Sequence, residues 1–187
     1  MTADMHVSAR GGKAWRNAGA AAFMVLSSSF AMAQTPPGVT LACPAPYSNG
    51  VTASVSTAAG VWETQGPAGG AWNPAAAASY PTWLPVPNAT WIGNAVTGDA
   101  GDWRYRVVID ASDPNIDLSS ATLTFAYRTD NDMLSANLGA TSLPVLPSAT
   151  YNAVTPGTGG PISTPLTAGS NQLLVVTNNE GTTPSPY

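Results

Sequence analysis

Any chemistry in this chain has to come from carboxylates, amides and aromatic rings. Its 187 residues hold one histidine, His6, one cysteine, Cys43, and one lysine, Lys13, against ten Asp and Glu. His6 and Lys13 both lie within the first 33 residues, which read as a removable leader, so the expected mature chain has no imidazole. Without one there is no Ser-His-Asp or Cys-His nucleophile and no histidine-ligated zinc. Carboxylate chemistry remains, and a glycosidase would need an acid and a base or nucleophile about 5 to 9 Å apart. Nine acids follow the leader, Glu63, Asp99, Asp102, Asp110, Asp113, Asp117, Asp130, Asp132 and Glu180, so some close pair is inevitable and their number selects none. The expectation is a protein that is not an enzyme, with no catalytic residues, no cofactor and no metal.

Binding chemistry has better candidates. Trp62, Trp72, Tyr80, Trp83 and Trp91 fall within thirty residues of one another, among Gly, Ala and Pro. Flat indole and phenol faces pack against the axial C–H bonds of pyranose rings and leave the sugar hydroxyls to water. Trp62 and Trp91 stand in strand-like surroundings and are expected in the core, where large aromatic rings contribute most. Trp72, Tyr80 and Trp83 lie between prolines and glycines and are the expected ligand-binding residues. Asp130 and Asn131 join them as acceptors for sugar hydroxyls, although Asp and Asn at such a corner also cap their own turn. Asp113-Pro114-Asn115-Ile116-Asp117 opens like a calcium loop but lacks the following glycine and the distant glutamate.

The leader reading rests on Arg10, Lys13 and Arg16, followed by an uncharged run from Ala18 to Ala33 that ends in Ala31-Met32-Ala33. A basic start, a short apolar stretch and small residues at the cut predict a signal peptide cleaved before Gln34. The apolar run is shorter than the roughly 20 residues a membrane-spanning helix needs, and no later segment approaches that length. The mature chain is therefore expected to have no membrane span and to act outside the cytoplasm, secreted, on the cell surface or in the periplasm. It keeps three cations, Arg104, Arg106 and Arg128, against nine acids, a formal charge of −6. That sign disfavours nucleic acid and anionic membranes as partners. Cys43 lies ten residues beyond the apolar run with Thr40 where a lipobox wants an aliphatic residue. A lone exported cysteine is free or pairs between molecules.

All 17 prolines and 15 of the 18 glycines follow the leader. Between them lie short runs of period-two or continuous apolar character, the mark of strands rather than helices. Trp103 to Ile109 alternates, with Trp103, Tyr105, Val107 and Ile109 on one face. Ala121 to Arg128 repeats the pattern through Leu123, Phe125 and Tyr127. Asp110 to Ser120 reads as a connection, and Gln172 to Thr177 as a central strand covered on both faces. Further strands are expected at Val51 to Thr57, Gly60 to Thr64, Trp91 with Ile92, Leu134 to Leu138 and Ile162 to Leu166. Residues 66 to 70, Pro81 to Pro87 and Thr155 to Pro161 read as loops. The fold class is all-β, an antiparallel jelly-roll β-sandwich preceded by a helical signal peptide. Its divisions are a signal peptide over 1–33, an N-terminal segment over 34–60 and the sandwich over 61–187.

The stretch ATWIGNAVTGDAGDWRYRVVIDASDPNIDLSSATLTFAYRTDNDMLSANLG, followed later by LTAGSNQLLVVTNNEG, resembles the galactose-binding-like β-sandwich domains of secreted bacterial proteins. Trp91, Ile92, Tyr105, Asp117, Leu118, Ala121, Leu123, Thr129, Asp130, Asn131, Gly169, Asn171 and Leu173 carry the likeness, which covers roughly residues 61 to 181. The resemblance implies sugar binding in some relatives, and in many a C-terminal sorting tail of the PEP-CTERM or IPTL-CTERM type. This chain ends at Tyr187, so a tail and a last strand are expected to be missing. The strand through Leu173 to Val176 would then lack a neighbour on one side and self-associate through that open sheet edge. The expectation is a secreted, non-catalytic module whose partners are glycans or cell-surface polysaccharide. The alternative is a structural, surface-assembly protein without a small ligand.

Overall fold

The computed structural model describes residues 1–11, 38–42, 51–54, 60–78, 84, 86, 88–93, 99–145, 157–163 and 166–180. Every regular element among them is a strand. In chain order these are β1 (Thr2–Gly11), β2 (Gly38–Thr40), β3 (Val51–Ser54), β4 (Glu63–Gln65), β5 (Asn73–Pro74), β6 (Ala76–Ala77) and β7 (Ile92–Gly93). They continue with β8 (Gly101–Asp110), β9 (Ile116–Arg128), β10 (Asp132–Leu138), β11 (Thr141–Ser142), β12 (Gly157–Ser163) and β13 (Ser170–Asn179).

Two larger sheets share one hydrophobic core. The first has the order β12-β9-β1-β3, the second β11-β10-β13-β8-β4-β5, and β6 pairs with β7 apart from both. All pairings are antiparallel except that of β2, which runs parallel to β8 over Gly38↔Val108 to Thr40↔Asp110. Gly38 permits that approach, since a Cβ there would collide with the carbonyl oxygen of Val108. The core joins Leu123, Phe125 and Tyr127 of the first sheet to Tyr105, Val107, Leu173 and Val175 of the second, with Met1, Leu41 and Trp62 in the same cluster.

The strongest period-two runs fold as their patterns dictate. In β8 the buried residues are Trp103, Tyr105, Val107 and Ile109, each followed by a half-buried one. In β9 burial alternates through Ala121, Leu123, Phe125 and Tyr127. Alternation of this kind puts one face on the core because successive side chains leave a strand on opposite sides. β13 is central as expected, paired along β8 on one side and β10 on the other. Its Leu174 and Val176 are half-buried, so it is covered fully on one face only.

Four expectations need correction. The segment from Asp110 to Ser120 is not wholly a connection, because β9 begins at Ile116; Asp113 and Asp117 close their own turns and allow the chain to enter the sheet early. Gly157 to Pro161 is strand rather than loop, and β12 tolerates Pro161 because it is an edge strand with a shifted register opposite β9. The Leu173 to Val176 strand has neighbours along both sides, so it is not the open edge. Finally, the described part of the segment expected to be a helical leader, residues 1–11, is extended: Thr2–Gly11 lies antiparallel between β9 and β3. Its apolar positions Met1, Ala3, Met5, Val7 and Ala9 alternate with Thr2, Asp4, His6, Ser8 and Arg10, a strand period that the basic residues obscure. The apolar run Ala18 to Ala33 lies outside the described residues.

Candidate functional site

Among the described residues, one polar concavity lies where β4, β5 and the start of β8 meet. It has a volume of about 200 Å³ and is lined by Thr64, Asn73, Asp99 and Trp103 with Gly66, Pro67, Ala68 and Pro74. β4 and β5 form a short antiparallel ribbon with Thr64 opposite Asn73. Thr64 also pairs with Tyr105 of β8, which ties the ribbon to the central sheet.

The loop between β4 and β5 is held by its own polar groups. The Gly69 amide donates to the Gly66 carbonyl at 3.0 Å, and Gln65 Nε2 donates to the Gly70 carbonyl at 2.7 Å. On the other wall, Gly101 has φ +124°, and a Cβ there would lie 2.9 Å from Pro67 Cβ. Only glycine combines that backbone with that proximity. The Asp99 carbonyl accepts from Trp103 Nε1 at 2.9 Å and from Asn179 Nδ2 at 3.0 Å, so this side is fixed from two strands.

The concavity thus combines an indole with convergent polar groups. Trp103 is buried, and the site where a Gly66 Cβ would stand is 3.5 Å from its ring, an ordinary contact distance. Asn73 and Asp99 are exposed on the rim. Thr64 is only 4% exposed, and its hydroxyl has no hydrogen-bond partner. A buried hydroxyl in that condition costs about 1–3 kcal/mol, so a hydrogen-bonding guest would be favoured there. Apolar walls with a few fixed polar groups are the usual character of a small-ligand site.

The residues singled out from sequence are placed differently from one another. Trp62 and Trp91 are core, with Trp62 fully buried and Trp91 Nε1 donating to the Leu84 carbonyl at 3.1 Å. Trp72 is half-buried, and one face of its ring carries the Arg106 guanidinium at 4.2 Å from the centroid. Arg106 Nε in turn donates to Glu63 Oε2 at 2.6 Å. Trp72 therefore stacks on a salt bridge, on the face of β4 opposite Thr64. Tyr80 and Trp83 lie outside the described residues.

Asp130 and Asn131 stand at the corner between β9 and β10, away from the concavity. Asn131 Oδ1 accepts from the Glu180 amide at 3.0 Å and the Asn131 amide donates to the Asn178 carbonyl at 3.0 Å, which fastens the corner to the end of β13. Asp113 Oδ1 accepts from the amide and side chain of Asn115, both at 2.9 Å, and Asp117 Oδ1 accepts from Ser119. These carboxylates close turns, and no group of three potential metal ligands occurs among the described residues. Asn171 is likewise structural: its side chain accepts from the Thr167 amide and donates to the carbonyls of Ile109, Thr167 and Gly169.

Asp99, Asn73 and Thr64 were not singled out from sequence. Their only signal is the glycine-rich punctuation at Gly66, Gly69, Gly70 and Gly101, which marks close backbone approach without saying what approaches. In comparisons with family models, curated proteins and solved structures, nothing matches the chain.

Proposed function

We propose that this chain is exported, loses residues 1–33, and works outside the cytoplasm as a non-catalytic, galactose-binding-like jelly-roll module that binds carbohydrate. The observation that carries this reading is the concavity over Trp103, with the Asn73 amide, the Asp99 carboxylate and the buried Thr64 hydroxyl around it. A sugar ring offers the matching surface, apolar C–H groups on one side and hydroxyls around the rim. The acidic surface and the basic start of the leader support the extracellular setting. No helix among the described residues is long and apolar enough to cross a membrane.

A glycan array on the purified protein tests the binding. A bound sugar should lose at least tenfold in affinity with Asn73→Ala and with Asp99→Ala. Binding untouched by both changes, or no glycan bound at all, would remove the reading. Mass spectrometry of secreted material tests export, with a mature N-terminus expected within a few residues of Gln34. The surface-assembly alternative is favoured by one observation, the position of the leader strand in the first sheet.

A further inference from the structure

β9 is held on one side by β12 and on the other by β1, and β1 alone connects β9 to β3. The pairing with β1 is long, from Thr2↔Arg128 through Met5↔Phe125 and Val7↔Leu123 to Gly11↔Ile116, with one register shift between Ser8 and Arg10. At the far end Met1 docks on β7, its amine donating to the Ile92 carbonyl at 2.9 Å and its carbonyl accepting from the Ile92 amide at 2.7 Å. Met1 is 2% exposed and lines an apolar hollow with Phe125, Tyr127, Met133, Leu173 and Val175.

These eleven residues belong to the segment read above as a removable leader, so this inference rests on the export reading. Cleavage before Gln34 would strip β9 of a ten-residue neighbour and open the hollow that Met1 lines. An antiparallel row of amides and carbonyls would be left facing solvent, which is the condition that invites another strand.

We propose that leader removal turns β9 into an acceptor edge, and that a second copy of the chain fills it by pairing its own β9 across a two-fold axis. The charges on the strands point to this occupant. β1 sets Arg10 opposite Asp117 and places Asp4 opposite Ala126, two residues from Arg128. A strand that repeats this charge order is positive opposite Asp117 and negative toward the Arg128 end. β9 read in the reverse direction has that order, because Asp117 and Arg128 are its only charged residues and stand near opposite ends. A two-fold axis near the middle of the strand brings each Asp117 toward Arg128 of the second copy. An antiparallel pair of identical strands is self-complementary, as an isologous interface requires. A register that keeps odd residues opposite odd ones sets Leu123, Phe125 and Tyr127 of both copies on one face.

The experiment uses the full chain with a specific protease site in place of Ala31-Met32-Ala33. Light scattering should give a monomer before cleavage and twice the remaining mass after it. A synthetic peptide of residues 1–11 should return the cleaved chain to monomer. Asp117→Arg should weaken the dimer at least tenfold, because each copy then opposes Arg128 with a like charge. In a Cys43→Ser background, Thr124→Cys, the residue midway along the ladder between Arg128 and Asp117, should cross-link two chains only after cleavage. The proposal is overturned by a cleaved chain that stays monomeric across concentration, by a cut leader that remains bound, or by a dimer that peptide and Asp117→Arg leave unchanged. None of these outcomes depends on where the natural leader is cut, so failure of the export reading shows separately in the N-terminus of secreted material.

Discussion

Arg106 sits between a carboxylate and an indole, and the two contacts can be separated experimentally. The Glu63 bond is short and only partly screened, with side-chain exposures of 22% and 15%. The Trp72 contact adds a cation–π attraction of about 0.5–1 kcal/mol at an exposed site. Trp72→Ala should therefore lower stability by about 1 kcal/mol in chemical denaturation. In an Arg106→Gln background the same change should cost measurably less, since the ring has lost its cation. A second residue-scale prediction concerns the Met1 amine, which burial lowers from 8.0 to about 5 against a partial opposing pull from Asp130. Between those values the unfolded chain binds the proton and the folded chain does not, so the stability of the full chain rises with pH from 5 to 8. The effect is limited to about 4 kcal/mol, at about 1.4 kcal/mol for each tenfold change in proton activity. Thermal melts of the full chain in a His6→Gln background should show this slope, and acetylation of the amine should abolish it.

At the scale of elements, much was legible where apolar residues alternate without interruption. The Trp103 to Ile109 and Leu123 to Tyr127 faces came directly from that pattern, because a strand half-buried against one core leaves no other trace. Three kinds of element were hidden. β12 hides behind Gly157, Gly159, Gly160 and Pro161, whose propensities oppose a strand that its neighbour nevertheless imposes. The short β4–β5 ribbon hides because two or three residues carry no period. β1 hides because basic residues in an N-terminal segment suggest a leader, while its apolar period of two suggests a strand, and both patterns are present. The candidate concavity was invisible for a related reason: its walls are loops brought together by pairing of distant strands. Gly101→Ala tests that wall. The φ of +124° and the 2.9 Å approach to Pro67 should together cost more than about 1 kcal/mol and push the loop outward. Any glycan affinity should fall with it, whereas Gly139→Ala, strained by a φ of +56° but not part of the concavity, should leave binding unchanged.

For the whole molecule, stability depends on one core to which both larger sheets contribute. Leu173 of the central strand β13 is fully buried in that core, so Leu173→Ala should cost about 2–5 kcal/mol in denaturant unfolding. That loss is a large fraction of what a domain of this size commonly has. The pairing of Thr2 with Arg128 also has a consequence in time. The first residues to leave the ribosome find their partner strand among the residues of Ile116–Arg128, so they stay unpaired while most of the chain is made. At about 5–20 residues per second, synthesis of the intervening chain takes on the order of ten seconds. Non-local pairing is slow to form even afterwards, because the intervening chain must be ordered first. Throughout that interval the N-terminus is unpaired, and translation itself sets the order of events: on the export reading proposed above, targeting would come before the strand can dock.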